Sequence, residues 1–431
     1  MKIVKSLSVY TLVNFIQQGI AFPLAILFSY YILPPEMGQL SLFMLYISML
    51  NIVMQVGAES AMTVNFYKMS REDYKGYFSS AFLLPLLLFF FFEIVFVAFR
   101  EPLANLLSLP VKWILLIPIA SFAGFVPKLT LTLYRIKEKS VKYAYFNLSF
   151  TIITLALSIV FVVYFNLNWE GRAWGIFIAN LVFFILGLIV INKSGFFTTK
   201  VKKAYSKDAL NYGLPLIPHL IGTFIIGYSD RIFIEKMIDL DALGIYEMGY
   251  KVGAIIMILV VSFNSAYTPF LYDCLRAPTE RANKKLALLA YGLFIGLGLA
   301  LFVLTLLSPL LFTYIINDKY LDGNQYVFWV GMGALFYGGY ALFTGFVHFS
   351  KKTYKLAILS IINVVLNLVL NYFLIKEYGA IGAAYATAIS YAVIFIILMI
   401  VVRNEHTIPY FEVRKNFKFL KTFLKEYRAA N

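Results

Sequence analysis

Seven ionisable side chains interrupt the long apolar runs of this chain: Glu59, Glu93, Lys128, His219, Asp230, Arg231 and Glu235. A charge in the middle of a bilayer costs about 2.5–3.5 kcal/mol on insertion scales, so such groups pair with one another or line a path for a charged cargo. Lys128 in the inner half of its run and Arg231 in the outer half of another suit an anionic headgroup crossing between leaflets. The acids Glu59, Glu93 and Asp230, together with His219, suit a coupling proton or sodium ion. The competing reading is structural: each cation pairs with a nearby carboxylate and locks two helices, with snorkelling lowering its cost. Lys128 follows Pro127, which is expected to loosen the helix there. Asp230 and Arg231 are adjacent, so they point about 100° apart on a helix, and one of them is expected to bond a neighbouring span. His219 precedes Asp230 by eleven residues. That is about three turns, so the two can share a face, although a hydrogen-bonded structural histidine is the plainer reading. Glu235 reads as a solvated cap.

Amides form a second pattern. Asn363, Asn367 and Asn371 recur every four residues, and Asn14 and Gln18 show the same spacing. One face of a helix then carries a polar stripe, which bonds either a neighbouring helix or the hydroxyls of a sugar in a wet cavity. Pro215 and Pro218 release backbone carbonyls and predict a broken helix just before His219.

Several classes of chemistry are not expected. Cys274 is the single cysteine, and the three histidines (His219, His348, His406) are too scattered for a metal site. No phosphate loop, paired histidine or nucleophile elbow appears, and the loops are mostly under about twenty residues. Neither an enzyme nor a cofactor, a metal or direct use of ATP is expected.

The elements that must position these groups follow from composition. The 431 residues are 61% hydrophobic and 14% charged, against roughly 45–50% and 25% in soluble domains. Apolar runs predict about twelve transmembrane helices, near 10–33, 38–61, 77–99, 111–133, 143–165, 173–191, 212–234, 248–272, 286–308, 326–349, 356–375 and 380–402. The first run is too long for a signal peptide and reads as a span. With both termini cytoplasmic, 28 of the 37 Lys and Arg residues lie inside, seven outside, and Lys128 and Arg231 within spans. That asymmetry supports the topology, and it assigns the net charge of +15 to membrane orientation and not to nucleic acid. Trp113, Trp169, Trp174 and Trp329 all fall at outer span ends, as an interfacial belt would have them.

The chain also repeats. Gly38 in PPEMG and Gly244 in LDALG are 206 residues apart, while Pro102 with Pro309, and Gly175 with Gly382, are 207 apart. A near-constant offset over spans of even number predicts two parallel six-helix bundles, residues 1–192 and 208–402, joined by a basic cytoplasmic linker, 193–207. In the tail, 403–431, Phe417, Leu420, Leu424 and Tyr427 alternate with lysines. An amphipathic helix on the cytoplasmic leaflet is expected there, beside the alternative of a solvated basic tail.

Three stretches carry a family resemblance: LPLIPH with the DR pair that follows it, PPEMGQL in the first half, and IINVVLNLVLNYFLIKEYGAIGAAYATAISY near the end. They resemble the Wzx-type flippases of polysaccharide repeat units (O-antigen or capsule), within the multidrug/oligosaccharidyl-lipid/polysaccharide exporter superfamily. The resemblance implies two six-helix bundles around a central V-shaped cavity, as in MATE-like transporters. It implies ion-coupled alternating access that moves undecaprenyl-diphosphate-linked oligosaccharide to the outer leaflet of a bacterial inner membrane. Its partners would be that lipid-linked cargo, membrane lipids, H+ or Na+, and other polysaccharide-assembly membrane proteins. Of the residues above, Arg231 matches the family's DR pair, whereas Lys128 lies in no matched motif. A drug or organic-cation antiporter of the same superfamily is the alternative. A membrane-embedded polymerase or ligase would need a long outer loop with catalytic Arg or His.

Overall fold

In the bilayer interior no water is at hand for the peptide groups, so apolar runs of this length must bond their own backbone as helices. The computed structural model describes residues 2–277, 279–350, 352, 354–403, 408–410, 412, 414–416 and 419. They are helical almost throughout, without a strand among them. The helices are α1 (Lys2–Ser29), α2 (Pro34–Gln55), α3 (Ala58–Lys68), α4 (Arg71–Ala98), α5 (Arg100–Leu107), α6 (Val111–Ile136), α7 (Ser140–Ile159), α8 (Asn168–Lys193), α9 (Lys203–Gly213) and α10 (Ile217–Met237). They continue as α11 (Leu240–Gly253), α12 (Ile255–Arg276), α13 (Glu280–Tyr314), α14 (Asn324–Phe349), α15 (Tyr354–Tyr378) and α16 (Ile381–Arg403). Eleven stretches among the described residues are long and apolar enough to cross a membrane. The first expected span falls on α1, a helix of 28 residues. The protein is an all-α polytopic membrane protein. The amphipathic tail helix falls mostly outside the described residues, as do the Asn14 and Gln18 side chains.

Two compact units form, Met1–Gly244 and Ile245–Asn431. The division follows α10 and does not fall in the basic segment 193–207. The seventh expected span therefore groups with the first six, because α10 packs along α2. The basic segment is itself held on α4: Thr198 N donates to Ser79 Oγ at 2.9 Å, and Lys202 N donates to Ser80 Oγ at 3.0 Å. Tyr77 then donates to Asp208 at 2.9 Å, midway along α9.

In the first unit α6 is the buried axis, with Trp113, Ile114, Ile117, Phe125, Val126 and Leu129 at or near zero exposure. It runs unbroken through Pro118 and Pro127, so Pro127 does not interrupt the helix ahead of Lys128. The Trp113 ring packs at a tilt, 5.0 Å from Trp169 and 5.2 Å from Trp174, and its indole N–H donates to Glu170 at 3.2 Å. Trp113 and Trp169 therefore pack a buried cluster instead of facing the bilayer interface as a belt, because aromatic rings bury more area against one another than at a headgroup layer. In the second unit α14 is the buried axis. Its glycines let α16 and α12 approach closely, Gly339 meeting Phe395 and Gly338 meeting Val260. The expected broken helix is present as a 3-10 turn, Leu214–Leu216, with Pro218 in the first turn of α10.

Candidate functional site

Between α2 and α3 the backbone takes left-handed dihedrals at Val56 (φ 46°) and Gly57 (φ 64°). At Gly57 a side chain would be strained, and this break separates the amide-bearing end of α2 from Glu59 on α3. Across from both lies α6. Asn51 Nδ2 donates to the Ser121 carbonyl at 2.8 Å, and Gln55 Nε2 donates to Asn51 Oδ1. Lys128 Nζ then reaches Gln55 Oε1 at 3.4 Å and pairs with Glu59 Oε2 at 3.0 Å. Thr132 Oγ1 donates to the other Glu59 oxygen at 2.6 Å, and Arg135 donates to Thr132 Oγ1 at 2.7 Å while lying 4.0 Å from Glu59. Two cations thus share one carboxylate. The exposures differ sharply: the Lys128 and Arg135 side chains are 56% and 52% exposed, that of Glu59 only 15%. The arrangement is an accessible pair of cations braced from behind by an anion and a ladder of amides.

The Asp230–Arg231 pair is built differently. Arg231 Nη1 lies 2.8 Å from Asp230 Oδ1, and the Arg231 amide donates to the same oxygen at 3.0 Å. The guanidinium also donates to the Gly227 carbonyl at 3.0 Å and lies 5.1 Å from the Tyr228 ring. Both side chains are 4% exposed. Adjacent residues were expected to diverge by about 100°. They meet because the long arginine stem folds back over the preceding turn, towards the Gly227 carbonyl. In this conformation Arg231 is closed to a cargo.

The other expected site residues scatter. His219 is exposed at the start of α10, while Asp230 is buried; eleven residues of helix separate them by about 16 Å. Glu93 stands on α4 without an ion pair, its Oε2 buried and unbonded among the described residues. Glu235 is no solvated cap: its side chain is 8% exposed and lies 3.3 Å from Lys236. Asn363, Asn367 and Asn371 are buried, with Asn371 donating to Asn367 at 3.0 Å and Asn367 to Ser390 of α16 at 3.4 Å. The stripe thus bonds along α15 and across to α16. Replacing Asn367 with leucine is expected to lower stability by about 0.6–1.7 kcal/mol, the range for such bonds between membrane helices. Export should be unchanged; a drop in export without a shift in melting temperature would give the stripe a place on the transport path.

Four members of the α2–α3–α6 network, Asn51, Gln55, Thr132 and Arg135, were not anticipated as site residues. A signal existed, since Asn51, Gln55 and Glu59 repeat the four-residue spacing that marks Asn363–Asn367–Asn371. Arg172, near the start of α8, donates to Ser158 Oγ at 2.7 Å and sits 5.4 Å from the Phe28 ring. Gln17 likewise bridges α1 to α7 through Asn147 (2.9 Å) and Thr151 (2.7 Å).

Comparison with known proteins adds three findings. Residues 3–274 match a family described as polysaccharide biosynthesis protein, and residues 215–373 match the MatE family. "Lsg locus putative protein 1" of Haemophilus influenzae is 29% identical over 153 residues, which is 34% of this chain and 37% of that relative. The match therefore spans little more than a third of that protein's length. Among solved structures, the lipid II flippase MurJ in an inward closed conformation superposes with a TM-score of 0.77 at 17% identity, covering 91% of this chain and 87% of that one. An inward-facing multidrug resistance MATE family transporter of the MOP superfamily gives 0.74 at 12% identity, covering 90% and 94%. At these identities the likeness is one of fold.

Proposed function

This chain belongs to the polysaccharide biosynthesis protein family, and we propose on that premise that it flips a lipid-linked oligosaccharide across a bacterial inner membrane. It is a multi-pass membrane protein of the flippase and transporter kind. Its cargo is an undecaprenyl-diphosphate-linked repeat unit moving from the cytoplasmic to the outer leaflet by ion-coupled alternating access, for surface polysaccharide. Both termini are cytoplasmic, and the two six-helix halves read from the repeat act as the moving bodies.

The observation that carries this reading is an exposed ammonium in a membrane-spanning helix: Lys128, 56% exposed, on α6. A cation at that depth meets an anionic headgroup in low dielectric, where the interaction gains strength. Arg135, about two turns further on, extends the positive surface towards the helix end. Glu59 is the coupling candidate among the acids because it holds both cations. A proton or sodium ion on Glu59 would cancel the charge that retains Lys128 and free it for a diphosphate, whereas Glu93, Asp230 and His219 hold no exposed cation. The MatE match favours a second reading, export of an organic cation. Such a cargo needs the accessible groups to be acids, and here the acid is the shielded partner.

The test is a chain carrying Lys128→Ala. Losing one hydrogen bond to a charged group, about 1.5–3 kcal/mol, slows flipping about tenfold or more. Lipid-linked repeat units should then accumulate on the cytoplasmic side while the amount of inserted protein is unchanged. Normal surface polysaccharide in this variant removes Lys128 from the mechanism. Normal polysaccharide after complete loss of the protein removes the flippase reading itself.

A further inference from the structure

A second group of cations lies apart from the α2–α3–α6 network, where α3 ends, α4 begins and α6 runs out. A cavity of about 320 Å³ opens there, lined by Phe66, Met69, Arg71, Tyr74, Lys137 and Phe196. Its walls are aromatic and edge-packed, the Tyr74 ring lying 5.2 Å from Phe66 and 5.4 Å from Phe196. Tyr74 is 2% exposed, and its hydroxyl has no hydrogen-bond partner among the described residues. A buried hydroxyl left unmade costs about 1–3 kcal/mol, so a polar group is expected to complete it.

The charges point the same way. Neither Arg71 nor Lys137 has a carboxylate partner among the described residues; the Lys137 ammonium instead sits 3.9 Å over the Phe196 ring. The acids in the first turn of α4 are committed elsewhere. Asp73 accepts from Ser70 at 2.8 Å and from Tyr205 at 3.2 Å, and Glu72 lies 3.9 Å from Lys75. Burial, and then the positive charges of Lys139 and Arg71, pull the Lys137 ammonium down to about 8. Like charges held together at an aromatic-walled cavity, with the local acids turned away, form a site that lacks its anion.

We propose that this cavity is a phosphate-binding site, in which Arg71 and Lys137 hold the phosphate group and the Tyr74 hydroxyl donates to it. The site does not depend on which cargo the chain moves. A volume of about 320 Å³ sits at the small end of ligand cavities, room for one headgroup. The aromatic walls would cover the carbon that bears the phosphate, and the α4 amino end adds its partial positive charge. The phosphate group can come from a membrane lipid or from solution, and the two sources separate in one experiment.

The full-length protein is placed in nanodiscs of a phosphate-free glycolipid, digalactosyl diacylglycerol, near pH 8, where Lys137 is about half neutral while ordinary lysines stay charged. An amine-acylating reagent should therefore modify Lys137 early, followed by mass spectrometry. A bound phosphate restores the ammonium, which burial, Lys139 and Arg71 otherwise disfavour, so modification should slow about fivefold for the first unit that the pKa rises and about tenfold for each further unit. Nanodiscs containing phosphatidic acid test the lipid source, and inorganic phosphate added to plain nanodiscs tests the free one. Slowing by phosphatidic acid alone assigns a lipid headgroup; slowing by both assigns the phosphate group itself. Slowing by neither, or equal slowing by sodium chloride at matched ionic strength, overturns the proposal. Arg71→Gln and Tyr74→Phe should each remove the protection while Lys137 still reacts, and protection that persists in both variants overturns the assigned residues.

Discussion

Arg231→Ala is expected to deplete folded protein, with any loss of export following from that. The guanidinium and its Asp230 carboxylate are both 4% exposed and 2.8 Å apart. Removing one member of a buried ion pair leaves the other uncompensated, a loss of about 3–5 kcal/mol. The alanine also gives up the Gly227 carbonyl bond and the Tyr228 ring contact. Asp230→Leu combined with Arg231→Met replaces both charges by apolar groups of similar reach, and such exchanges are often neutral or stabilising. The double variant should therefore recover most of the melting temperature lost by the single one. Thermal unfolding of the purified chain in detergent, followed by tryptophan fluorescence, reads both. A single variant that melts like the parent would mean that Arg231 stands open to a cargo, as the family resemblance implies. Export by the folded double variant then separates scaffold from site: normal export leaves the pair a structural lock.

Arg231 is shut in its ion pair while Lys128 is exposed, a difference that apolar runs in a sequence do not record. The apolar runs alone located the helices, because a helix in hydrocarbon needs only length and apolarity. Side-chain pairing is another matter. The helical wheel separates Asp230 from Arg231 by about 100°, but the wheel treats side chains as short spokes and arginine is not one. Glu59 and Lys128 stand 69 residues apart in sequence. Their meeting depends on how α3 is set against α6 after the break at Val56–Gly57, which no periodicity encodes. The four-residue spacing of amides was readable, yet in α15 it marks a buried helix contact and in α2 it backs an exposed cation. Spacing fixes the face, and only packing tells what the face meets. The repeat behaves in the same way. Its near-constant offset says which spans resemble one another, whereas α10 joins the first unit because of its contact with α2.

The repeat does, however, support an expectation of its own. Gly38 and Gly244 are its clearest pair, and the first turns of α2 and α11 cross at them. A Cβ on Gly38 would strike the Leu240 carbonyl, and a Cβ on Gly244 would strike the Pro34 carbonyl. Pro34 and Leu240 are also 206 residues apart. The contact is therefore reciprocal, each glycine facing the residue equivalent to the one its counterpart faces. In both cases the obstacle is main chain, which cannot swing aside as a side chain would. Gly38→Ala and Gly244→Ala are each expected to cost at least the upper end of the about 1–3 kcal/mol typical of overpacking. The double variant should cost less than the sum, because either methyl already forces the two turns apart. Gly296→Ala on α13 is the control, since nothing lies within 4 Å of its Cβ position. There the substitution should be neutral or stabilising, by up to about 1 kcal/mol, as alanine suits a helix better than glycine. Melting temperature and monodisperse yield measure all four variants. Additive losses at Gly38 and Gly244 would mean that the two glycines relieve separate contacts, and that the reciprocity is an accident of spacing.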